Sequence, residues 1–245
     1  MRAPVQIALV ALSFAGSWSQ TPDAAITPFI GRQLICANVG DQPKIKLKKS
    51  QLDSINGTCD VAVLVKNADW KAGTVRFKLE NIGTPSVMDQ QRGRCFTWQS
   101  EIVLELSGFA PDEPADSLLS SVRQMLQTPE EYLANKGLRF SIPPGAEDET
   151  PGKPSPPIIY PKPLLRVDGA YTAAARSAKR KGAVKVSLIV GTDRRVHRVH
   201  LLRGLGLGLD ENAMRVLQLR RFEPARQMDK AIAVESTIEM HFDIL

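Results

Sequence analysis

The sequence predicts an α+β protein: two small α+β units joined by a proline-rich linker. Three observations carry this reading. Short runs alternate apolar and polar residues with a period of two and are separated by Gly, Asn and Asp, the pattern of half-buried antiparallel strands. Other stretches place apolar residues at helical spacing behind capping signals. Eight prolines crowd into residues 142–164, where neither a helix nor a central strand tolerates them.

Taken in order, the chain opens with Met1-Arg2, followed by an apolar run over residues 5–14 that only Gln6 and Ser13 interrupt. Ala15, Gly16, Ser17, Trp18, Ser19 and Gln20 follow. A charged start, about 7–15 apolar residues and a small-residue exit describe a secretory signal peptide. A membrane-spanning helix needs about 20 apolar residues. The expectation is a signal peptide over residues 1–19, cleaved after Ser19 or Ser17, and a periplasmic protein. A retained segment would instead anchor the chain in the inner membrane.

Residues 20–140 read as an N-terminal α+β unit. Alternation marks strands at residues 44–48, 59–66, 74–81 and 96–106, and Asn56-Gly57 is a hairpin-turn signal. Leu118, Leu119, Val122, Met125 and Leu126 define a helix over residues 115–127. A second helix starts at Thr128, with Pro129 in its first turn, Glu131 completing a capping box and Gly137 closing it. Trp70 and Trp98 read as strand core residues.

Residues 141–163 form the linker, expected as an extended polyproline spacer. Residues 164–245 form the C-terminal unit. A short helix over 171–181 is expected to close at Gly182. Strands follow at 183–190 and 196–202. Gly204, Gly206 and Gly208 then mark a flexible loop, because the βαβ setting of a nucleotide fingerprint is missing. Asp210 is expected to cap a helix that runs to about Arg221 and stops before Pro224. The last strand spans 231–245, with Val234, Ile238, Met240, Phe242 and Ile244 on one face. The C-terminal unit thus reads ββαβ after its first helix.

Composition narrows the function. The chain carries a net charge of +6. Residues 164–245 hold fifteen Lys/Arg against nine Asp/Glu, so the whole excess sits in that unit. In an exported protein such asymmetry points to an acidic protein surface, lipid headgroups or an anionic cell-wall polymer, and not to nucleic acid. Cys36, Cys59 and Cys95 are too few and too widely spaced for a redox pair or a zinc site. One structural disulfide and one buried thiol are expected, with the pairing open. His197 and His200 fall on opposite faces of a strand, so they do not share a metal. No nucleophile–base pair is visible, and the expectation is a non-enzyme without cofactor or metal.

Four features in order give the C-terminal unit a family likeness. They are the Ala/Arg-rich helix ending Lys181-Gly182, the hairpin over 184–202, the helix entry Gly208-Leu209-Asp210-Glu211-Asn212-Ala213, and Arg221-Phe222-Glu223-Pro224-Ala225. Residues 164–245 resemble the C-terminal domain of TonB-family proteins. The residues matching its signature are Gly208, Leu209, Asp210, Ala213, Arg221, Phe222, Pro224 and Ala225. Arg220 stands where the family often has Trp. The resemblance implies a periplasmic energy transducer that takes up a segment of outer-membrane TonB-dependent receptors by strand addition. The inner-membrane motor complex would be a second partner. The last strand is the expected edge, with Val234, Ser236, Ile238 and Met240 as the contact stretch, acting through backbone more than side chains. The family's membrane-anchored helix carries a histidine that engages the motor, whereas this chain has no histidine before His197. That departure sets out an alternative: an unanchored periplasmic module binding cell-wall polymer or a regulatory protein.

Overall fold

The computed structural model describes residues 21–37, 60–87, 101–138, 151 and 157–243. The expected signal peptide, the strand at 44–48, the Asn56-Gly57 turn, Cys59, Cys95, Trp98 and most of the linker lie outside the described residues. Among those described, no helix is long and apolar enough to cross a membrane.

The chain is a mixed α+β protein, richer in strands than in helices. Helix α1 (Pro22–Ile26) starts on Thr21, whose hydroxyl accepts the Ala24 N–H. Strand β1 (Gln33–Cys36) pairs with β2 (Val61–Lys71), and β2 with β3 (Thr74–Val87). Ala72 and Gly73 join β2 to β3 with φ of 46° and 76°. Two positive φ angles are what a two-residue type I′ turn requires. Strand β4 (Glu101–Ser107) lies on the first half of β3. Helix α2 (Ala115–Met125) buries Leu118, Val122 and Met125. The helix expected to residue 127 stops at Met125, because Leu126 and Gln127 extend as β5 and pair with β1. Helix α3 (Pro129–Asn135) has the full capping box of Thr128 and Glu131. Gly137, at φ 86°, closes it while the Leu138 N–H reaches the Leu133 carbonyl at 2.9 Å.

Next come β6 (Ile158–Ile159), β7 (Lys162–Gly169), α4 (Ala173–Ser177), β8 (Gly182–Val190) and β9 (Val196–Arg203). Helix α5 (Leu209–Leu219) is followed by three short strands, β10 (Arg221–Glu223), β11 (Ala225–Gln227) and β12 (Lys230–Ile232). The last strand is β13 (Val234–Phe242). The single strand expected over 231–245 is thus broken at Ala233, where β12 turns back on β11. Helix α4 does not close on Gly182. Lys179 takes the left-handed position at φ 49°, the Arg180 N–H bonds the Ala175 carbonyl at 2.9 Å, and Gly182 opens β8.

All strand pairs are antiparallel, in three sheets: β10-β7-β3-β2-β1-β5 with β4 also on β3, then β12-β11-β6, then β13-β8-β9. The large sheet crosses from one expected unit into the other. Residues 165–169 of β7 pair with 83–87 of β3, just beyond the stretch that β4 covers. Lys162 and Pro163, assigned to the linker from sequence, begin this strand; a proline is tolerated near a strand's start because few ladder donors are lost there. One core follows the sheet across the same line. Ile35, Ile82, Tyr132 and Leu133 share it with Leu165, Val167, Val184, Val186, Leu188, Val216, Leu217 and Phe242. A second core, between the β2–β3–β4 meander and α1 and α2, holds Phe77, Leu79, Leu104, Leu106, Leu118 and Val122. Trp70 is partly buried against Phe109. Cys36 is a buried free thiol, pushed up to about 12 mainly by burial and further by Asp60, far from the range of a reactive thiolate.

Candidate partner-strand site

Strand β13 pairs with β8 over nine consecutive positions, from Val234↔Val190 to Phe242↔Gly182, without a register shift. Among the described residues it has no neighbour on its other side. In an antiparallel ladder, alternate residues turn their N–H and C=O toward the partner and the others turn theirs away. Every second residue of β13 therefore turns its backbone donor and acceptor toward an edge that no other strand covers among the described residues.

The period-two side-chain pattern fixes the strand's faces. Val234, Met240 and Phe242 are buried, Ser236 and Ile238 half-buried, and Glu235, Thr237, Glu239 and His241 exposed. The four residues expected at the contact thus share the inner face. Val234 and Met240 belong to the core, and Ser236 and Ile238 sit where the core meets solvent. What the strand presents to a neighbour is its backbone, with these two side chains at the margin.

The inner face is held from beneath. A Cβ on Gly169 would lie 3.1 Å from Met240 Sδ and 3.1 Å from Phe242 Cζ, so β7 approaches β13 closely enough that a larger residue there would make these side chains give by a few tenths of an ångström. The Tyr171 ring stands edge-on to Phe242 at 5.7 Å, and its hydroxyl bonds the carbonyls of Arg180 and Phe242.

The opposite edge of the same sheet, β9, is built differently. Its ladder to β8 shifts register twice, and Arg198 adopts φ 48°. Bulges and charges are the usual means of keeping an edge from pairing. Residues 195–203 contain Arg195, Arg198 and Arg203 with no acid, whereas 233–243 contain Glu235, Glu239 and Asp243 with no Lys or Arg.

The family-signature residues lie away from the open edge and shape the support. Gly208, at φ 80°, precedes α5, with Thr172 Cγ2 at 3.1 Å from where a Cβ would stand. Leu209, Ala213, Phe222 and Ala225 are core residues, and Pro224 is buried between β10 and β11. Asp210 does not cap the helix. It lies in the first turn and reaches back, accepting the N–H groups of Leu205 at 2.6 Å and Gly206 at 3.0 Å. Two of the loop's amides are thereby satisfied by an internal carboxylate. A Cβ on Gly204 would overlap that carboxylate.

The helix expected to reach Arg221 ends at Leu219, and two adjacent buried arginines follow. Arg220 donates through Nε and Nη2 to the Val167 carbonyl at 3.1 and 2.9 Å, and lies 3.6 Å from Asp168. Burial lowers its pKa to about 10, against the opposing pull of Asp168. Arg221 pairs with Glu130 of α3 at 2.8 Å and donates to the carbonyls of Gln218 and Arg220. Arg195 meets the same Glu130 oxygen at 3.1 Å. Burial alone would raise the Glu130 pKa, but Arg221 first and Arg195 after it bring it below the ordinary carboxylate range. Sequence reasoning missed this junction. The only local signal was two adjacent arginines inside an apolar stretch. His197 contacts the Asp193 carboxylate at 2.9 Å, while His200 is exposed. Among the described residues no cluster of His, Cys, Asp or Glu could hold a metal.

These features define an α+β domain whose sheet ends, among the described residues, in a regular strand paired on one side only. Residues 169–244 match the family model of the Gram-negative bacterial TonB protein C-terminal, and this part of the chain is a TonB-family domain. The family is one of non-enzymatic protein-interaction domains from Gram-negative envelope proteins, with a role in energy-coupled transport. No curated protein and no solved structure matches the chain.

Proposed function

We propose that this is a periplasmic TonB-family protein that captures a segment of an outer-membrane receptor by strand addition along β13, in the service of energy-coupled transport. The carrying observation is the edge itself: nine regularly paired residues, bonded on one side only among the described residues. The bulged β9 edge is the poorer template. The export signal expected over residues 1–19 completes this reading, and receptor and motor partners follow from the family likeness.

Magnitudes set the expected affinity. Each backbone hydrogen bond contributes a net of about 1 kcal/mol. Ordering each residue of a flexible segment costs about 1–2 kcal/mol. The ladder alone does not hold a free peptide, so side chains along the edge must supply the surplus.

Titration of the full chain with peptides from receptor plug segments tests the proposal. Binding should protect the β13 amides from hydrogen exchange. A complete lack of binding at high micromolar peptide would sink it. Proline substitution sharpens the test, because Ser236→Pro and Thr237→Pro remove N–H groups on opposite sides of the strand. One should lose a β8 bond and cost roughly 1–2 kcal/mol more stability than the other. The milder variant should stay folded and lose peptide binding. Unchanged binding in that folded variant would rule out the β13 edge.

A second reading has its own support. Arg198 and Arg203 carry the charge of β9 with no acid on the strand, as a module for anionic cell-wall polymer would, while Arg195 beside them is held by Glu130. Salt-sensitive co-sedimentation with cell wall, retained by a β13 proline variant, would favour it.

A further inference from the structure

We infer that the β13 edge selects a cationic strand: a segment alternating apolar residues with Lys or Arg, one of whose cations lies beside Glu235. This rests on strand addition at β13 and specifies its partner. A strand laid along β13 places its own side chains next to those of β13, face by face. On the inner side its residues meet Ser236 and Ile238 at the margin of the core, which favours apolar or small side chains. On the outer side they meet Glu235, Thr237, Glu239 and His241, all exposed.

The two acids are not equivalent. Glu239 ion-pairs across the ladder with Lys185 at 3.4 Å, so part of its charge is already answered. Glu235 accepts a hydrogen bond from the Ser187 hydroxyl at 2.5 Å, which orients the carboxylate and leaves its charge intact. Among the described residues no Lys, Arg or His ion-pairs with Glu235. The neighbouring β8 residues opposite the acids, Ile189 and Lys185, do not change this ranking.

Local and long-range electrostatics pull in opposite directions, which makes the inference testable. The chain as a whole is positive, at +6, and its overall field favours an anionic ligand. Only side chains on the edge itself favour a cationic one. The acids also disfavour a second copy of the chain as occupant, because antiparallel pairing of two β13 strands brings acidic faces together.

The experiment titrates the full chain with three labelled heptapeptides, alternating Val with Lys, Thr or Glu, and follows hydrogen exchange at residues 234–242. The Lys peptide should bind about 5–10-fold more tightly than the Glu peptide at low ionic strength, each cross-strand charge pair contributing modestly. The preference should shrink at about 0.5 M salt. Glu235→Gln should erase more of the preference than Glu239→Gln, and Arg198→Gln on β9 should leave it unchanged. Equal binding of all three peptides with protected β13 amides would overturn the charge selection and leave strand addition standing. Tightest binding of the Glu peptide would overturn it in favour of the overall field. Absence of binding by any peptide at about 1 mM, above the range expected for specific capture, would remove both.

Discussion

At residues 83–87 of β3 the chain supplies its own partner strand, β7; along residues 234–242 of β13 it supplies none among the described residues. One side is filled and the other open among the described residues, and the contrast lies in what surrounds them. The β3–β7 edge is enclosed. Gly83 lets α5 and β7 close in, Arg220 seals the Val167 carbonyl, and Glu130 ties α3 to Arg195 and Arg221. The β13 edge has its inner face packed and its outer rim left in solvent. Cores stabilise a strand's face, and only hydrogen-bond partners complete its edge. A protein can therefore fold firmly around a strand and still keep its edge available.

The largest effect is expected where β7 enters. A Cβ on Gly83 would overlap the Asp168 carbonyl and stand 3.1 Å from Val216 Cγ1. Backbone and helix are both fixed there, so Gly83→Val should destabilise by about 3 kcal/mol, the upper end for overpacking. Urea unfolding measures it. A loss below about 1 kcal/mol would mean that the junction yields easily and that the two edges differ less than the packing suggests.

The Glu130 junction should come next. Glu130→Ala leaves Arg221 buried with carbonyl partners only, and strips Arg195 of its acid. Breaking a buried ion pair typically costs about 3–5 kcal/mol; here retained carbonyls and the partial exposure of Glu130 reduce that to about 2 kcal/mol. The sign with pH follows from its lowered pKa. A carboxylate whose folded pKa is depressed stabilises the protein fully above its unfolded value of about 4.3 and loses that contribution as pH falls through the folded value. Acid titration of unfolding should show a loss below the ordinary carboxylate range in the parent and a smaller one in Glu130→Gln. Strand capture at β13 should persist in both variants wherever they remain folded.

Much of this contrast could be read from the sequence on one side and little on the other. The β13 strand announced itself through Val234, Ile238, Met240 and Phe242 alternating with Glu235, Thr237, Glu239 and His241, and α3 through Thr128, Pro129 and Glu131. Those signals are local: a period of two, and a cap three residues from its partner. The β7 strand was hidden by Pro161 and Pro163, which argue for a spacer unless a distant edge exists to receive the chain. Its partner, 83–87, lies roughly eighty positions earlier, and local patterning does not encode such pairings. Lys179 in a left-handed turn and Asp210 reaching back to Leu205 overrode plausible local choices, Gly182 and a helix cap. Both departures are closed by hydrogen bonds four or five residues apart that residue type alone does not announce: Arg180 N–H to the Ala175 carbonyl, and the Leu205 and Gly206 N–H groups to Asp210.

The smallest effect serves as a control on the comparison. The β2–β3 hairpin turns through Ala72 and Gly73, both at positive φ. Gly73 carries no penalty there, and a Cβ at that position would overlap the Phe109 carbonyl, so it should not be changed. Ala72 at φ 46° is the strained member, since a left-handed conformation costs an ordinary L-residue about 1–2 kcal/mol and Asn much less. Ala72→Asn should therefore stabilise the fold by about 0.5–1 kcal/mol, read as a shift in the urea midpoint with an unchanged slope. The turn lies in the N-terminal meander, outside the core beneath β13. If edge availability is independent of fold stability, this variant binds peptide with the parent's affinity. A gain in affinity that tracks the gain in stability would show instead that β13 is presented only by part of the population, and that the open edge depends on the firmness of the sheet beyond it.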